Sequence, residues 1–303
     1  MCFSRQPSKL KYLHNVDGGD LKLGLQCGTL ALAGMGFGEW VKVAEELGFK
    51  SLELWLDRDN FWPPTTSKMQ RADALQTLST TNINVPSVCP LPLEPGSWGE
   101  FRFEFNLAHF DERSRRKAVE FYKQVVDSAV DFGADTVLTL PGKIDEPDLM
   151  KSPHSYRQHL EKLVESLKEL AAYAGDRGVV LGVEHAVVCN FIDLPWELRY
   201  VVESVNSESV KVYFDTANAN VFLPPTKYLD VIGDLLCKTI HVSDNHGDRP
   251  LHLPIGMGGI DFRRVVAKLK SLGWDGYILP EIFYNEDPIG GLRTCKTRLE
   301  EII

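Results

Sequence analysis

The sequence predicts an α/β fold, a (β/α)8 barrel of eight parallel strands ringed by helices. Three observations predict it. Short apolar runs alternate with longer amphipathic runs through nearly the whole chain of 303 residues. The short runs number eight, the barrel number. Several are apolar at both parities, as strands buried on both faces of a parallel sheet must be. A doubly wound open sheet is the competing topology, but nothing after the first run resembles G-x-G-x-x-G.

In chain order the strand runs are LKLGLQC (21–27), SLELWL (51–56), NVPSVC (84–89) and TVLTLP (136–141). VVLGVEH (179–185), VKVYFD (210–215), KTIHVSD (238–244) and GYILPEI (276–282) complete the set. Between them lie helices. Over 112–132, Val119, Tyr122, Val125, Val126, Ala129 and Val130 recur at helical spacing, with Asp111 as N-cap. Over 155–174, Leu160, Leu163, Val164, Leu167, Leu170, Ala171 and Ala174 do the same. Asp261 caps a further helix through Phe262, Val265, Val266 and Leu269. Gly48, Gly133, Gly178 and Gly273 each stand just before a strand, where a left-handed residue ends the preceding helix. The longest gap between strands is the third, and its excess is loop 90–110, PLPLEPGSWGEFRFEFNLAHF. Loops of that length in a compact domain are commonly lids. Its Trp98, Phe101, Phe103 and Phe105 would either cover a substrate or anchor the loop on the barrel, with anchoring slightly favoured.

Composition bounds the function. The chain is 44% hydrophobic and 25% charged, with a formal net charge of −9. The densest basic cluster, Arg113 to Lys117, reads as a solvated helix face. An acidic chain without basic stripes argues against nucleic acid as a partner. Cys2, Cys27, Cys89, Cys189, Cys237 and Cys295 form no C-x-x-C pair, so buried thiols in a reducing compartment are expected. The polar N-terminus lacks a signal-peptide core, and no apolar run approaches the roughly 20 residues of a membrane span. A cytoplasmic protein without a membrane partner is expected. Residues 1–20 read as an N-terminal extension that closes the barrel's bottom, and 21–303 as a single barrel domain.

Four consecutive strand runs carry a metal-ligand residue at or near their C-terminal end: Glu184, Asp215, His241 and Glu281. In a parallel barrel those ends converge on one face, where active sites of this architecture lie. A charge at the end of an apolar approach is costly unless paired or metal-bound. Three carboxylates and an imidazole suit a divalent cation such as Mn2+, Co2+, Mg2+ or Zn2+, without choosing among them.

The motifs G-V-E-H (182–185), F-D-T-A-N (214–218), H-V-S-D-N-H-G-D-R-P-L-H-L-P-I-G-M-G-G-I-D-F (241–262) and P-E-I (280–282) carry a resemblance. Over about residues 21–290 the chain is similar to the xylose isomerase-like TIM-barrel superfamily, including its sugar phosphate isomerase/epimerase family. The resemblance implies one divalent metal ion per chain, usually Mn2+ or a substitute, bound by Glu184, Asp215, His241 and Glu281. It also implies that Glu184 and Glu281 are the catalytic acid and base on opposite faces of a sugar, and that homo-oligomers are common among relatives. A metal chelated by a carbonyl and its neighbouring hydroxyl stabilises an enediolate, while one glutamate removes a proton and the other returns it. Return to the same carbon epimerises, return to the neighbouring carbon isomerises, and loss of a β-hydroxyl dehydrates.

The resemblance therefore implies a metal-dependent isomerase or epimerase of a ketose-like sugar or polyol. A lyase or dehydratase acting on an inosose or 3-oxo-sugar is the alternative. A non-catalytic sugar-binding barrel is a third reading, against which the intact pair of glutamates speaks. Two departures demote an apurinic endonuclease. Many relatives carry D-x-x-H where this chain has Asp215-x-x-Asn218, and D-x-H where it has Pro250-Leu251-His252, so the ligands of a trinuclear zinc cluster are not all present. Asn218, His252, His246 and Arg249 are substrate-contact candidates, and Glu53 and Trp55, alternate on the second strand, are candidates for one pocket wall. His109 and Lys143 are loop candidates. His185 should point away from the site, and of Asp244 and Asn245, just past His241, Asp244 either orients a ligand or caps the next turn.

Overall fold

The computed structural model describes residues 20–303, so the expected N-terminal extension lies, but for Asp20, outside the described residues. Nine parallel strand segments form a nearly closed barrel: β1 (Leu21–Leu23), β2 (Leu25–Gln26), β3 (Ser51–Leu56), β4 (Asn84–Pro90), β5 (Thr136–Thr139), β6 (Val180–Glu184), β7 (Val210–Asp215), β8 (Leu236–Val242) and β9 (Gly276–Pro280). Their order around the sheet is β1-β9-β8-β7-β6-β5-β4-β3-β2.

Nine segments occupy eight strand positions because the first run is broken at Gly24. β1 pairs with β9 and β2 with β3, so one short stretch of chain joins the two edges. The reason is steric. A Cβ on Gly24 would come within 2.3 Å of the Leu279 side chain and 3.1 Å of the Ser51 side chain. Only glycine lets the chain pass from one neighbour to the other at that distance.

The principal outer helices are α1 (Phe37–Leu47), α2 (Lys68–Ser79), α3 (Glu112–Phe132), α4 (Ser155–Gly175), α5 (Pro195–Val205), α6 (Pro225–Ile232), α7 (Phe262–Ser271) and α8 (Pro288–Glu300). The Asp111 side chain accepts the Ser114 N–H at 2.7 Å, and Asp261 accepts that of Arg264 at 3.1 Å, so both expected N-caps form. Gly48, Gly133, Gly178 and Gly273 all have positive φ, as helix-ending residues require. Val130 departs from its expected face: it is 47% exposed, while its neighbour Ala129 is buried. One residue is a rotation of about 100° on a helix, which carries Val130 off the buried stripe.

The strand interiors are buried; every residue of β3 is, and β6, β7 and β9 are buried apart from one partly exposed residue each. Cys27, Cys89, Cys189, Cys237 and Cys295 are free and buried. Among the described residues no helix is long and apolar enough to cross a membrane.

Candidate metal centre and its cavity

Each ligand candidate sits where a strand hands over to its loop. Glu184 ends β6, Asp215 ends β7, His241 is the penultimate residue of β8, and Glu281 follows β9. The parallel register aligns Asp215 with His241 and His241 with Leu279, which brings the four side chains to one level of the barrel. One ligand atom from each of them lies within 4.8 Å of every other, and all four residues are buried. His241 Nδ1 is 3.3 Å from Glu281 Oε2 and 3.7 Å from Glu184 Oε1.

Three atoms of this cluster, Glu184 Oε1, Asp215 Oδ2 and His241 Nδ1, are buried without a hydrogen-bond partner. Such groups cost free energy unless something compensates them. The charge pattern points the same way. Burial, then the nearby Glu281, pushes the Glu184 carboxyl up to about 7, although its contact with His241 opposes the rise. Burial and the Glu184 and Glu281 charges push Asp215 well above the usual carboxylate range. Burial alone would lower His241, but Glu281 and Glu53 outweigh it and raise the imidazole. Burial would raise Glu281, yet His241 and His252 hold it below its ordinary value. Three carboxylates around a trapped positive group are compatible with a divalent cation in place of the proton.

Beneath the cluster the barrel interior supplies a support. His241 Nε2 lies 2.5 Å from Glu53 Oε1, and Glu53 Oε2 accepts hydrogen bonds from Ser87 Oγ at 2.6 Å and Tyr213 OH at 2.5 Å. Glu53 is fully buried and is not on the cavity wall, whereas Trp55 is on that wall. The two share a strand face, as their spacing requires, but Glu53 sits one level deeper, under His241. Its partners come from β4, β7 and β8, so no local pattern around residue 53 reveals the contact.

Above the cluster opens a cavity of about 350 Å3. Glu184, Glu281, Asn218 and His252 line it, and Trp55, Trp98, Phe101, Phe103 and Phe283 form much of the rest of its wall. Asn218 accepts the Val187 N–H at 3.4 Å, and its own N–H donates to Asp215 Oδ1 at 2.6 Å. His252, at φ +48°, places Nδ1 3.1 Å from Ser243 Oγ and 3.4 Å from Glu281 Oε2, with its ring against Phe283. His246 and Arg249 do not reach this cavity. Both are exposed on the 245–250 loop, and Arg249 faces its neighbour Asp248 at 3.5 Å.

The long third motif is mostly a cradle. The fully buried Asp244 accepts the N–H groups of Gly256, Gly258 and Ile260 at 2.8 to 3.0 Å, fixing the loop that carries His252. A Cβ on Gly258 would lie 2.4 Å from both Asp244 Oδ1 and Asn245 O, so that wrapping requires glycine. His185 turns away from the cavity, stacks on Tyr228 at 4.4 Å, and is driven down to about 3 by burial. His109 accepts the Asp111 N–H, and Lys143 reaches the Glu100 carbonyl at 3.3 Å.

Loop 90–110 is a hairpin in part. Leu93 and Phe103 form an antiparallel bridge, and Glu94 N–H donates to the Arg102 carbonyl at 2.9 Å. Its aromatics divide. Trp98, Phe101 and Phe103 face the cavity. Phe105 instead stacks on Phe121 of α3 at 4.1 Å and packs on Trp62. The loop therefore both covers and anchors, with different residues.

A family model described as the xylose isomerase-like TIM barrel matches residues 41–298. The chain belongs to that family. An uncharacterised protein of Methanocaldococcus jannaschii is 30% identical over 203 residues, 65% of this chain and 67% of that protein. Fructoselysine 3-epimerase of Shigella flexneri is 25% identical over 256 residues, 81% of this chain and 85% of the enzyme. The structure of D-psicose 3-epimerase with D-tagatose, from Clostridium cellulolyticum H10, superposes with a TM-score of 0.77 at 17% identity, covering 93% of this chain and 99% of that one. The relatives of stated activity are thus sugar epimerases.

Proposed function

We propose that the protein is a divalent-metal-dependent epimerase or isomerase of a ketose-like sugar or polyol, with Glu184 and Glu281 as its proton-transfer groups. One observation carries the reading. Glu184 and Glu281 belong both to the candidate ligand cluster and to the cavity wall, so two carboxylates would face any molecule bound there. The donor set and the partnerless Glu184 Oε1, Asp215 Oδ2 and His241 Nδ1 fit one divalent ion, with Mn2+ the favoured choice. Such an ion supplies a Lewis acid for a carbonyl and its adjacent hydroxyl.

The chain's own residues do the rest. One glutamate takes the proton from the carbon beside the carbonyl, and the other returns a proton to the opposite face or to the neighbouring carbon. Asn218 and His252 offer hydrogen bonds to substrate hydroxyls. Trp98, Phe101 and Phe103 keep water from the reacting carbon. The epimerase relatives favour proton return over loss of a hydroxyl. We place the enzyme in the cytoplasm, with a small sugar or polyol as partner rather than a nucleic acid or a membrane.

The test is metal analysis of the purified protein, followed by NMR of ketoses, inososes and 3-oxo-glycosides in D2O. Deuterium should enter one C–H position of at least one compound, and only in the metal-loaded enzyme. A metal-replete protein that exchanges none of them is not this enzyme.

A further inference from the structure

The proposed reaction needs only a carbonyl, a hydroxyl and a C–H at the floor of the cavity, and the walls above it are built for something else. The side chains that offer strong hydrogen bonds, Glu184, Glu281, Asn218 and His252, all belong to the floor or its rim. The remaining wall is largely aromatic and aliphatic, with Trp98 lying 6.1 Å from Trp55, 5.3 Å from Phe101 and 5.4 Å from Phe283, ring centre to ring centre. These rings come from three separate parts of the chain, β3, the 90–110 loop and the segment after β9, so the cluster is not one loop folded on itself. Among the described residues no lysine or arginine lines the cavity. Two basic residues of the neighbouring loops are engaged elsewhere: Lys143 with the Glu100 carbonyl and Asp145, Arg249 with Asp248.

A phosphate at the far end of such a cavity would be a dianion against an apolar wall, with no lysine or arginine among the lining residues to pair it. A free hexose would bury several hydroxyls against carbon, each left without a hydrogen-bond partner. An aromatic or similarly apolar substituent removes both penalties and gains ring-on-ring contact. At about 350 Å3 the cavity is in the range of roughly 300–1,000 Å3 typical of drug-sized ligands, room for more than a bare sugar.

We infer that the substrate is an uncharged polyhydroxy ketone carrying an apolar, ring-sized substituent at the end remote from the reacting carbonyl, and that it is not a sugar phosphate. The inference rests on the proposed function for the polar end of the molecule and on the Trp55, Trp98, Phe101, Phe103 and Phe283 wall for the other end.

The experiment compares three ketones with one head group, D-psicose, D-psicose 6-phosphate and 6-O-benzyl-D-psicose, on the metal-loaded protein. Calorimetry reads binding and NMR in D2O reads exchange. The benzyl ether should bind about tenfold or more tighter than psicose, as burial of a phenyl ring predicts, and the phosphate more weakly than psicose. In Trp98→Ala and Phe103→Ala the ratio of the benzyl to the psicose dissociation constant should move towards one. A phosphate that binds as well as the benzyl ether overturns the inference, and so does a benzyl preference that survives both substitutions or failure of all three ketones to bind. Exchange in all three without a benzyl preference would sink the inference and leave the proposed function standing. A benzyl preference with no exchange in any ketone would do the reverse.

Discussion

His241 Nε2 lies 2.5 Å from Glu53 Oε1, and this contact decides which nitrogen of the ring faces the other candidate ligands. With Nε2–H given to a carboxylate, Nδ1 is left as the atom that points at Glu184 and Glu281. Ser87 and Tyr213 pin the same carboxylate from the other side, so the ring is held in orientation as well as in tautomer. Glu53→Gln should therefore leave the barrel folded but weaken metal binding by about 10- to 100-fold, the usual cost of losing an outer support. Competition with a chelator of known affinity measures this, and an unchanged affinity would remove Glu53 from the role.

The four candidate metal ligands should show a trade between stability and function. Asp215 is fully buried, and Oδ2 has no partner. Asp215→Asn keeps the oxygen that accepts the Asn218 N–H and removes a buried acid. The metal-free variant should be more stable than the metal-free parent by about 1–2 kcal/mol. Added Mn2+ should then raise the parent's Tm and leave the variant's unmoved. A variant that is destabilised without metal, or still stabilised by it, contradicts the assignment. Glu184→Gln, His241→Ala and Glu281→Gln should likewise lose metal and turnover, and the parent should hold about one ion per chain.

The two halves of loop 90–110 should separate by mutation. Replacing 97–103 by a short Gly/Ser link removes Trp98, Phe101 and Phe103 but leaves Phe105 on Phe121. Turnover should fall sharply while thermal stability changes little. Phe105→Ala should do the opposite and cost about 2 kcal/mol, less than a fully buried phenylalanine, because Phe105 is only half-buried. Equal losses of stability in both variants would mean that the whole hairpin is an anchor.

Asp193 offers a pH test away from the metal centre. Burial, then the nearby Glu197, raises its carboxyl from 3.8 to about 6. The folded state thus disfavours the ionised form. The associated stability is fully present below the ordinary carboxylate value and is lost as pH rises through about 6. Asp193→Asn should accordingly match the parent near pH 4 and exceed it above pH 6. A shift of that size corresponds to about 3 kcal/mol at most, reduced to about 1 kcal/mol because the group is partly open to solvent. Denaturant melts at the two pH values measure the difference, and equal curves at pH 7 would refute it.

Much of this was legible in sequence because barrel strands are short, apolar and punctuated. The run 51–56 and the run 210–215 coincide with their strands, and helix 112–132 coincides with α3. Glu184, Asp215, His241 and Glu281 could be picked out because each ends an apolar run, and the parallel architecture brings such ends to one face. What pattern could not carry was depth and direction. Glu53 and Trp55 share a face, but nothing in their spacing shows that one lies under His241 and the other beside the cavity. His246 and Arg249 stand close to His241 in sequence, yet the loop held by Asp244 turns them outwards and brings His252 in. The split of the 90–110 aromatics depends on Phe121 and Trp62, which no local reading of the loop includes. The break at Gly24 is set by side chains of two other strands.

The pairing of β9 with both β8 and β1 has a consequence for the order in which the molecule can be made. The first strand of the ring leaves the ribosome early and its partner late. Until residues 276–281 emerge, the ring has a gap, and at most three of the four candidate metal donors exist. Glu281 arrives on the same segment that fills the gap. Closure of the ring and completion of the candidate metal cluster are thus one event, in which Glu281 joins Glu184, Asp215 and His241 as β9 takes its place.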